Sequence, residues 1–170
     1  NKSLYFKIKN LRSHGMEENR NDISDFGHVS RMDNIQAAIL NFRLKNLKKV
    51  IKKRRDNVKL YLENLKSDKI FFPREKLDEF NTYHTFVIQV QEREKLIKYL
   101  QNYGVGTAIH YPVPIHLQKA SKFLGYRIKD FPITEKQSKK ILTLPINQFL
   151  RKKEIIYICR LINKFYKKNF

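Results

Sequence analysis

A chain of 170 residues with 41% hydrophobic content can bury one ordinary core, and nothing in it demands a second. With 36 Lys and Arg against 16 Asp and Glu, the net charge is +20, a field that attracts nucleic acid, membrane surfaces and phosphorylated small molecules alike. Its longest apolar stretches, such as 155–158, fall far short of the roughly 20 residues that cross a bilayer, and the lone Cys159 cannot form an internal disulfide, so the reading is a soluble protein of the reducing cytoplasm.

The chain opens with Asn1, and its first ten residues carry neither a signal-like pattern nor an obvious cap, which reads as a start within a longer polypeptide. Ser13-His14-Gly15, followed by the polar stretch 17–25, predicts a helix end and a loop. Asp33 and Gln36 then have capping-box spacing. Beyond them Ile35, Ile39, Phe42, Leu47, Val50, Ile51, Val58, Tyr61, Leu62 and Leu65 recur at helical intervals, predicting one helix over 33–65, about 50 Å long. Lys45, Lys48, Lys49, Lys52, Arg55 and Lys59 fall opposite that apolar arc, as a solvated face does. Arg43 and Arg54 fall on the apolar side, where a charge needs a partner, and are expected to face another domain or chain.

Farther along, 84–90 (HTFVIQV) has the alternation of a strand, 93–103 has helical spacing ending at Gly104, and 105–111 is a second strand candidate. Pro112 and Pro114 hold the chain extended before a short helix over 116–124 that Gly125 ends. Pro132 suits the first turn of a helix reaching about residue 140. Residues 142–146 (LTLPI) form the third strand candidate, and 151–166 a last helix with Ile155, Ile158, Cys159, Ile162 and Phe165 or Tyr166 on one stripe. Cys159 on that stripe reads as a buried, inert thiol. The sum is an α+β domain: a small three-stranded sheet covered by helices, with one long helix leading in.

Self-contained active sites are absent from the pattern. There is no zinc-type Cys or His spacing, no phosphate-cradling glycine run and no nucleophile elbow. Of the five histidines, His110 and His116 flank a Y-P-V-P segment, where a strand end beside a rigid turn can point into a cleft.

Two segments carry a resemblance. Residues 27–40 (GHVSRMDNIQAAIL) resemble the G-x-N-x-R-[LM]-D-x-[IL]-Q-A-A signature of the DegT/DnrJ/StrS sugar aminotransferases, and 110–118 (HYPVPIHLQ) resemble that family's H-Y-P-x-P-x-H-x-Q. Weaker echoes run in the same order: Leu11-Arg12-Ser13-His14-Gly15, Tyr83-His84-Thr85-Phe86, Gly125-Tyr126, 130–135 and 142–146.

The resemblance implies the small C-terminal domain of the aspartate-aminotransferase (type I) fold, dependence on pyridoxal 5′-phosphate, a homodimer, and transfer of an amino group from glutamate to a keto sugar on a nucleotide diphosphate. It implies three regions: 1–32 as the end of the large domain with an active-site loop, 33–66 as a connecting helix, and 67–170 as the small domain. The lysine that anchors the coenzyme would precede residue 1, so the isolated chain is expected to be inactive. By position, Ser30 and Arg31 would meet cofactor phosphate, Arg31 also substrate anions, and His110, Tyr111 and His116 would approach the sugar or its diphosphate. Val29 stands where the family carries Asn, and cannot donate a side-chain hydrogen bond. Two other readings compete. A basic nucleic-acid-binding domain draws on the charge and on 12% aromatic content, against which stands the absence of a recognisable nucleic-acid motif. A non-catalytic partner of a full-length aminotransferase draws on Arg43 and Arg54.

Overall fold

The computed structural model describes residues 1–16 and 22–168; part of the loop expected over 17–25 lies outside the described residues. The chain divides into two compact units, Asn1–Leu47 and Lys48–Phe170.

In the first unit, helix α1 (Lys2–Leu11) does have a cap. The Asn1 side chain accepts the Leu4 N–H at 3.4 Å, satisfying a donor that the first turn leaves unpaired. Two short antiparallel bridges, Ser13 with Val29 and Met16 with Ile23, fold the following loop back on itself. Gly15 adopts φ +76°, and a Cβ there would strike the Asp25 backbone, while one on Gly27 would strike the Leu11 carbonyl. Only glycine lets these strands of loop approach so closely. Helix α2 (Asn34–Leu44) opens with the expected capping box, Gln36 Oε1 accepting the Asp33 N–H at 3.0 Å.

The single helix expected over 33–65 is broken. α2 stops at Leu44 and α3 (Leu47–Asn64) resumes three residues later. The Asn46 N–H turns to the Arg43 carbonyl at 3.0 Å, a tight i to i−3 contact at a residue type that competes with helical bonding. Continuous apolar periodicity carried no trace of this interruption.

The second unit is built on a three-stranded antiparallel sheet, β1 (Ile70–Phe71), β2 (Phe86–Val90) and β3 (Ile141–Leu144), in the order β1-β2-β3. Phe86 lies opposite Leu144, Ile88 opposite Leu142 and Ile70 opposite Val90. Phe86, Ile88 and Val90 are buried, as period-2 alternation requires. Helices α4 (Arg93–Asn102), α5 (Pro132–Ser138) and α6 (Lys152–Lys168) complete the unit. Its core joins Val58 and Tyr61 of α3, Leu96 and Leu100 of α4, the buried strand residues, and Ile155, Ile158, Cys159 and Ile162 of α6.

The α+β class with a small three-stranded sheet is as expected, but the strands differ. Residues 105–111 make one isolated bridge, Ala108 with Thr143, because Gly106 interrupts the segment, Pro112 follows it, and the Val105 N–H is already taken by the Leu100 carbonyl at 2.9 Å. β1 takes the third place; at two residues before Pro73 it is too short to show alternation. The helix expected over 116–124 is two 3₁₀ turns, Ile115–Leu117 and Lys119–Leu124, ended by Gly125 at φ +75°.

Arg54 also departs from expectation. Its guanidinium donates to the Tyr83 and His84 carbonyls, each at 3.0 Å, and to Gln148 Oε1 at 3.4 Å, so its partners lie in its own unit. Arg55, assigned to the solvated face, grips Glu75 with two nitrogens at 2.7 and 2.9 Å and lies 4.6 Å from the Phe80 ring centre. Lys52 and Lys59 do sit on an exposed face, pairing one turn on with Asp56 and Glu63.

Candidate functional site

The loop carrying Ser30 and Arg31 is strapped to the end of α1. The His28 N–H donates to the Leu11 carbonyl at 2.8 Å and the Ser30 N–H to the Arg12 carbonyl at 2.9 Å. Arg12 answers through its side chain, Nε donating to the Ser30 carbonyl at 3.0 Å. These ties leave a cavity of about 580 Å³ lined by Arg12, Ser30, Arg31, Met32, Gln36 and Ile39, among others. Among the described residues, no carboxylate pairs with either guanidinium. A hydroxyl and two unneutralised arginine forks beside the start of α2 form a setting that accepts anions. Arg12 is the residue that motif reasoning passed over; its only signal was its place in the weaker Leu11-Arg12-Ser13-His14-Gly15 echo.

The other three candidates belong to the second unit. His110 Nδ1 lies 2.9 Å from Thr143 Oγ1, which fixes its ring on β3, and the adjoining His110–Tyr111 peptide is cis. Tyr111 is 74% exposed and borders a cavity of about 330 Å³ with Val113, Pro114, Gln118, Thr134 and Gln137. The His110 and Tyr111 rings meet edge to face at 5.5 Å, so these two side chains are brought together.

His116 is not part of that open surface. It is 6% exposed, with Nε2 3.2 Å from Glu135 Oε1 and its ring centre 4.7 Å from that of Phe131. These contacts enclose the ring within its own unit. Glu135 Oε1 also accepts the Lys129 N–H at 2.8 Å. Partial burial pushes the Glu135 carboxyl upward, but the Lys129 N–H, His116 and the Phe131 backbone together hold it below the ordinary value.

Among the described residues, no group of three or more His, Cys, Asp or Glu could hold a metal ion, and no helix is long and apolar enough to cross a membrane. No described lysine side chain is buried; Lys69 and Lys140 are half-buried and the others exposed.

Comparison with known proteins places this architecture. Residues 1–163 match the sequence model of the DegT/DnrJ/EryC1/StrS aminotransferase family. Over 159 residues the chain is 32% identical to the dTDP-3-amino-3,6-dideoxy-alpha-D-galactopyranose transaminase of Aneurinibacillus thermoaerophilus, covering 94% of this chain and 43% of that one. It is 30% identical to a UDP-N-acetyl-3-dehydro-alpha-D-glucosamine 3-aminotransferase of Acidithiobacillus ferrooxidans, covering 93% and 42%. Among solved structures, DesV of S. venezuelae superposes with a TM-score of 0.85 at 26% identity, over 97% of this chain and 44% of DesV. A family member from Brucella abortus gives 0.84 at 28%, over 97% and 44%. The chain thus spans less than half the length of these relatives, and over that span it belongs to the DegT/DnrJ/EryC1/StrS aminotransferase family.

Proposed function

We propose that this chain forms part of a pyridoxal-phosphate-dependent, homodimeric aminotransferase of the cytoplasm that moves an amino group from glutamate to a keto sugar carried on a nucleotide diphosphate. The observation that carries the reading is the cavity in which Arg31 stands beside Ser30 with no carboxylate partner among the described residues. An anionic client accounts for an arginine left so, and the relatives named above act on dTDP- and UDP-linked sugars.

The donor set fits a phosphate: Arg31 supplies a planar fork and Ser30 a hydroxyl, and together they would hold the coenzyme phosphate. The coenzyme, when bound, supplies the electron sink that amino-group transfer requires. What this chain contributes is grip and orientation. Arg31 neutralises phosphate charge. His110, steadied by Thr143, keeps Nε2 available to the sugar or its diphosphate, and Tyr111 presents a hydroxyl at the same edge. His116 acts at one remove, tying the segment that bears Tyr111 to α5 through Glu135. No described lysine side chain is buried, whereas a Schiff-base lysine needs a desolvated pocket, so we assign the coenzyme anchor to none of the described lysines.

The experiment is a titration of the chain with inorganic phosphate, followed by amide NMR shifts at 30–33. Saturable shifts that vanish in Arg31→Gln are expected; their absence in the unaltered chain would sink the reading. Glutamate-dependent turnover by the 170-residue chain with pyridoxal phosphate would overturn the placement of the lysine.

A further inference from the structure

We propose that Arg12 is the second guanidinium of the Ser30 and Arg31 site, held ready for a dianionic phosphate group. This rests on the reading of that cavity as an anion site.

The donors of the Arg12 guanidinium are divided. Nε is committed to the Ser30 carbonyl at 3.0 Å, while the Ser30 N–H returns to the Arg12 carbonyl at 2.9 Å. The tie is reciprocal, so the guanidinium plane is fixed before any ligand arrives. Neither terminal nitrogen has an acceptor among the described residues, and the side chain borders the same cavity as Arg31. A guanidinium that used its whole fork to fasten the loop would be a strap. One that fastens with Nε alone keeps a pair of donors in reserve.

Local electrostatics explain how such a cation persists without a counter-ion. Arg12 is the C-cap of α1, where the negative end of the helix dipole favours positive charge. Asp33, the acid adjoining this loop, has its carboxylate engaged by the backbone of α2 in the capping box. The cavity therefore presents two positive forks between apolar walls given by Met32 and Ile39. Two forks match a phosphate monoester or a diphosphate better than a carboxylate, which carries one charge and two oxygens.

The test uses the 170-residue chain at physiological salt and four probes: inorganic phosphate, pyridoxine 5′-phosphate, uridine diphosphate and acetate. Pyridoxine 5′-phosphate carries no aldehyde, so surface lysines do not confuse its binding. Arg12→Gln is expected to weaken the phosphate probes by about tenfold and to reduce the preference for phosphate over acetate. Hydrogen exchange at the Ser30 amide should stay slow, because its acceptor is the main-chain carbonyl of residue 12. Arg12→Lys should recover only part of the affinity, since one ammonium cannot span both Ser30 and an anion.

A larger loss for pyridoxine 5′-phosphate assigns the fork to a coenzyme-type monoester; a larger loss for uridine diphosphate assigns it to the nucleotide. Arg12→Gln without effect, alongside a loss in Arg31→Gln, overturns the role of Arg12 and leaves the anion site standing. Both variants without effect overturn the anion site as well. A loss in Arg12→Gln accompanied by fast exchange at Ser30 reduces Arg12 to a strap and overturns the proposal.

Discussion

Glu135 closes a ring of contacts with His116: the carboxylate oxygen that lies 3.2 Å from the buried imidazole also accepts the Lys129 N–H at 2.8 Å. One oxygen thereby joins the two ends of the segment 116–129. Lys129 sits at φ +83°, a conformation that costs a non-glycine residue and persists where the surroundings hold it. Glu135→Ala removes both ties and leaves a buried ring nitrogen without a partner. The expected outcome is a lower thermal midpoint, with proteolytic nicking and fast hydrogen exchange appearing first in 117–131. Unchanged exchange there would show that the segment is held by its apolar contacts alone.

Arg54 stitches α3 to the chain ahead of β2 through the Tyr83 and His84 carbonyls. Hydrogen bonds from a charged donor are the stronger kind, so Arg54→Ala should cost about 2 kcal/mol of unfolding free energy. Urea unfolding monitored by circular dichroism measures this, and a loss close to zero would mean that water replaces the guanidinium at no cost. Arg54→Lys should recover a minor share, because an ammonium cannot span two carbonyls in the guanidinium's fixed geometry.

These two residues show what was legible in the sequence and what was not. Helical spacing placed Arg54 on the apolar side and so flagged a need for a partner. The partner lay 29 residues away at the Tyr83 carbonyl, which periodicity does not report. α6 was legible because its apolar stripe is long and regular, and Ile155, Ile158, Cys159 and Ile162 are all buried. The break at residues 45–46 was illegible because apolar residues on both sides keep the helical interval. β1 was illegible because two residues cannot display a period. The motifs singled out Ser30 and Arg31, which line one cavity with Arg12, but Arg12 entered through backbone pairing across the loop, information that resides in Gly15 and Gly27 only once the fold is known. His116 was singled out by its place in a motif, and its burial against Glu135 was not signalled by 130–135, which gave only a weaker echo of the family.

Ile162 is wholly buried where α6 meets the rest of the core. Ile162→Ala removes three carbons and leaves a cavity that the sheet cannot collapse to fill, at a cost of about 3 kcal/mol. Ile162→Val should cost about 1 kcal/mol. Denaturant midpoints for the two variants test the ratio, and equal losses would indicate that packing at this site is loose.

Cys159 lies in the same core, and burial pushes its thiol up to about 12. The thiolate is the nucleophile, so the folded protein should resist alkylation by iodoacetamide at neutral pH and react fully once urea unfolds it. The rate should follow the opening equilibrium, and labelling that proceeds in the native state as fast as in a free thiol would contradict the burial.

Acid should act through three carboxylates whose folded values lie below the ordinary one. The Arg151 side chain, then its backbone N–H, pulls Glu154 down to about 2; the Arg55 guanidinium and the Asn81 N–H lower Glu75; Glu135 is lowered as described. Each group releases its proton more readily folded than unfolded, so the unfolded state binds more protons as pH falls. The stability they give is complete above the ordinary carboxyl value of 4.5 and is lost as pH drops through the folded values, ending near 2 for Glu154. Urea midpoints should therefore hold steady from about pH 7 to about pH 5 and then fall. Because the Arg151 N–H donates to Glu154 at the start of α6, at 2.8 Å, Glu154→Gln should begin with a lower midpoint and show a shallower decline below about pH 4. A variant whose acid limb runs parallel to that of the unaltered chain would assign the lost stability to Glu75 and Glu135 instead.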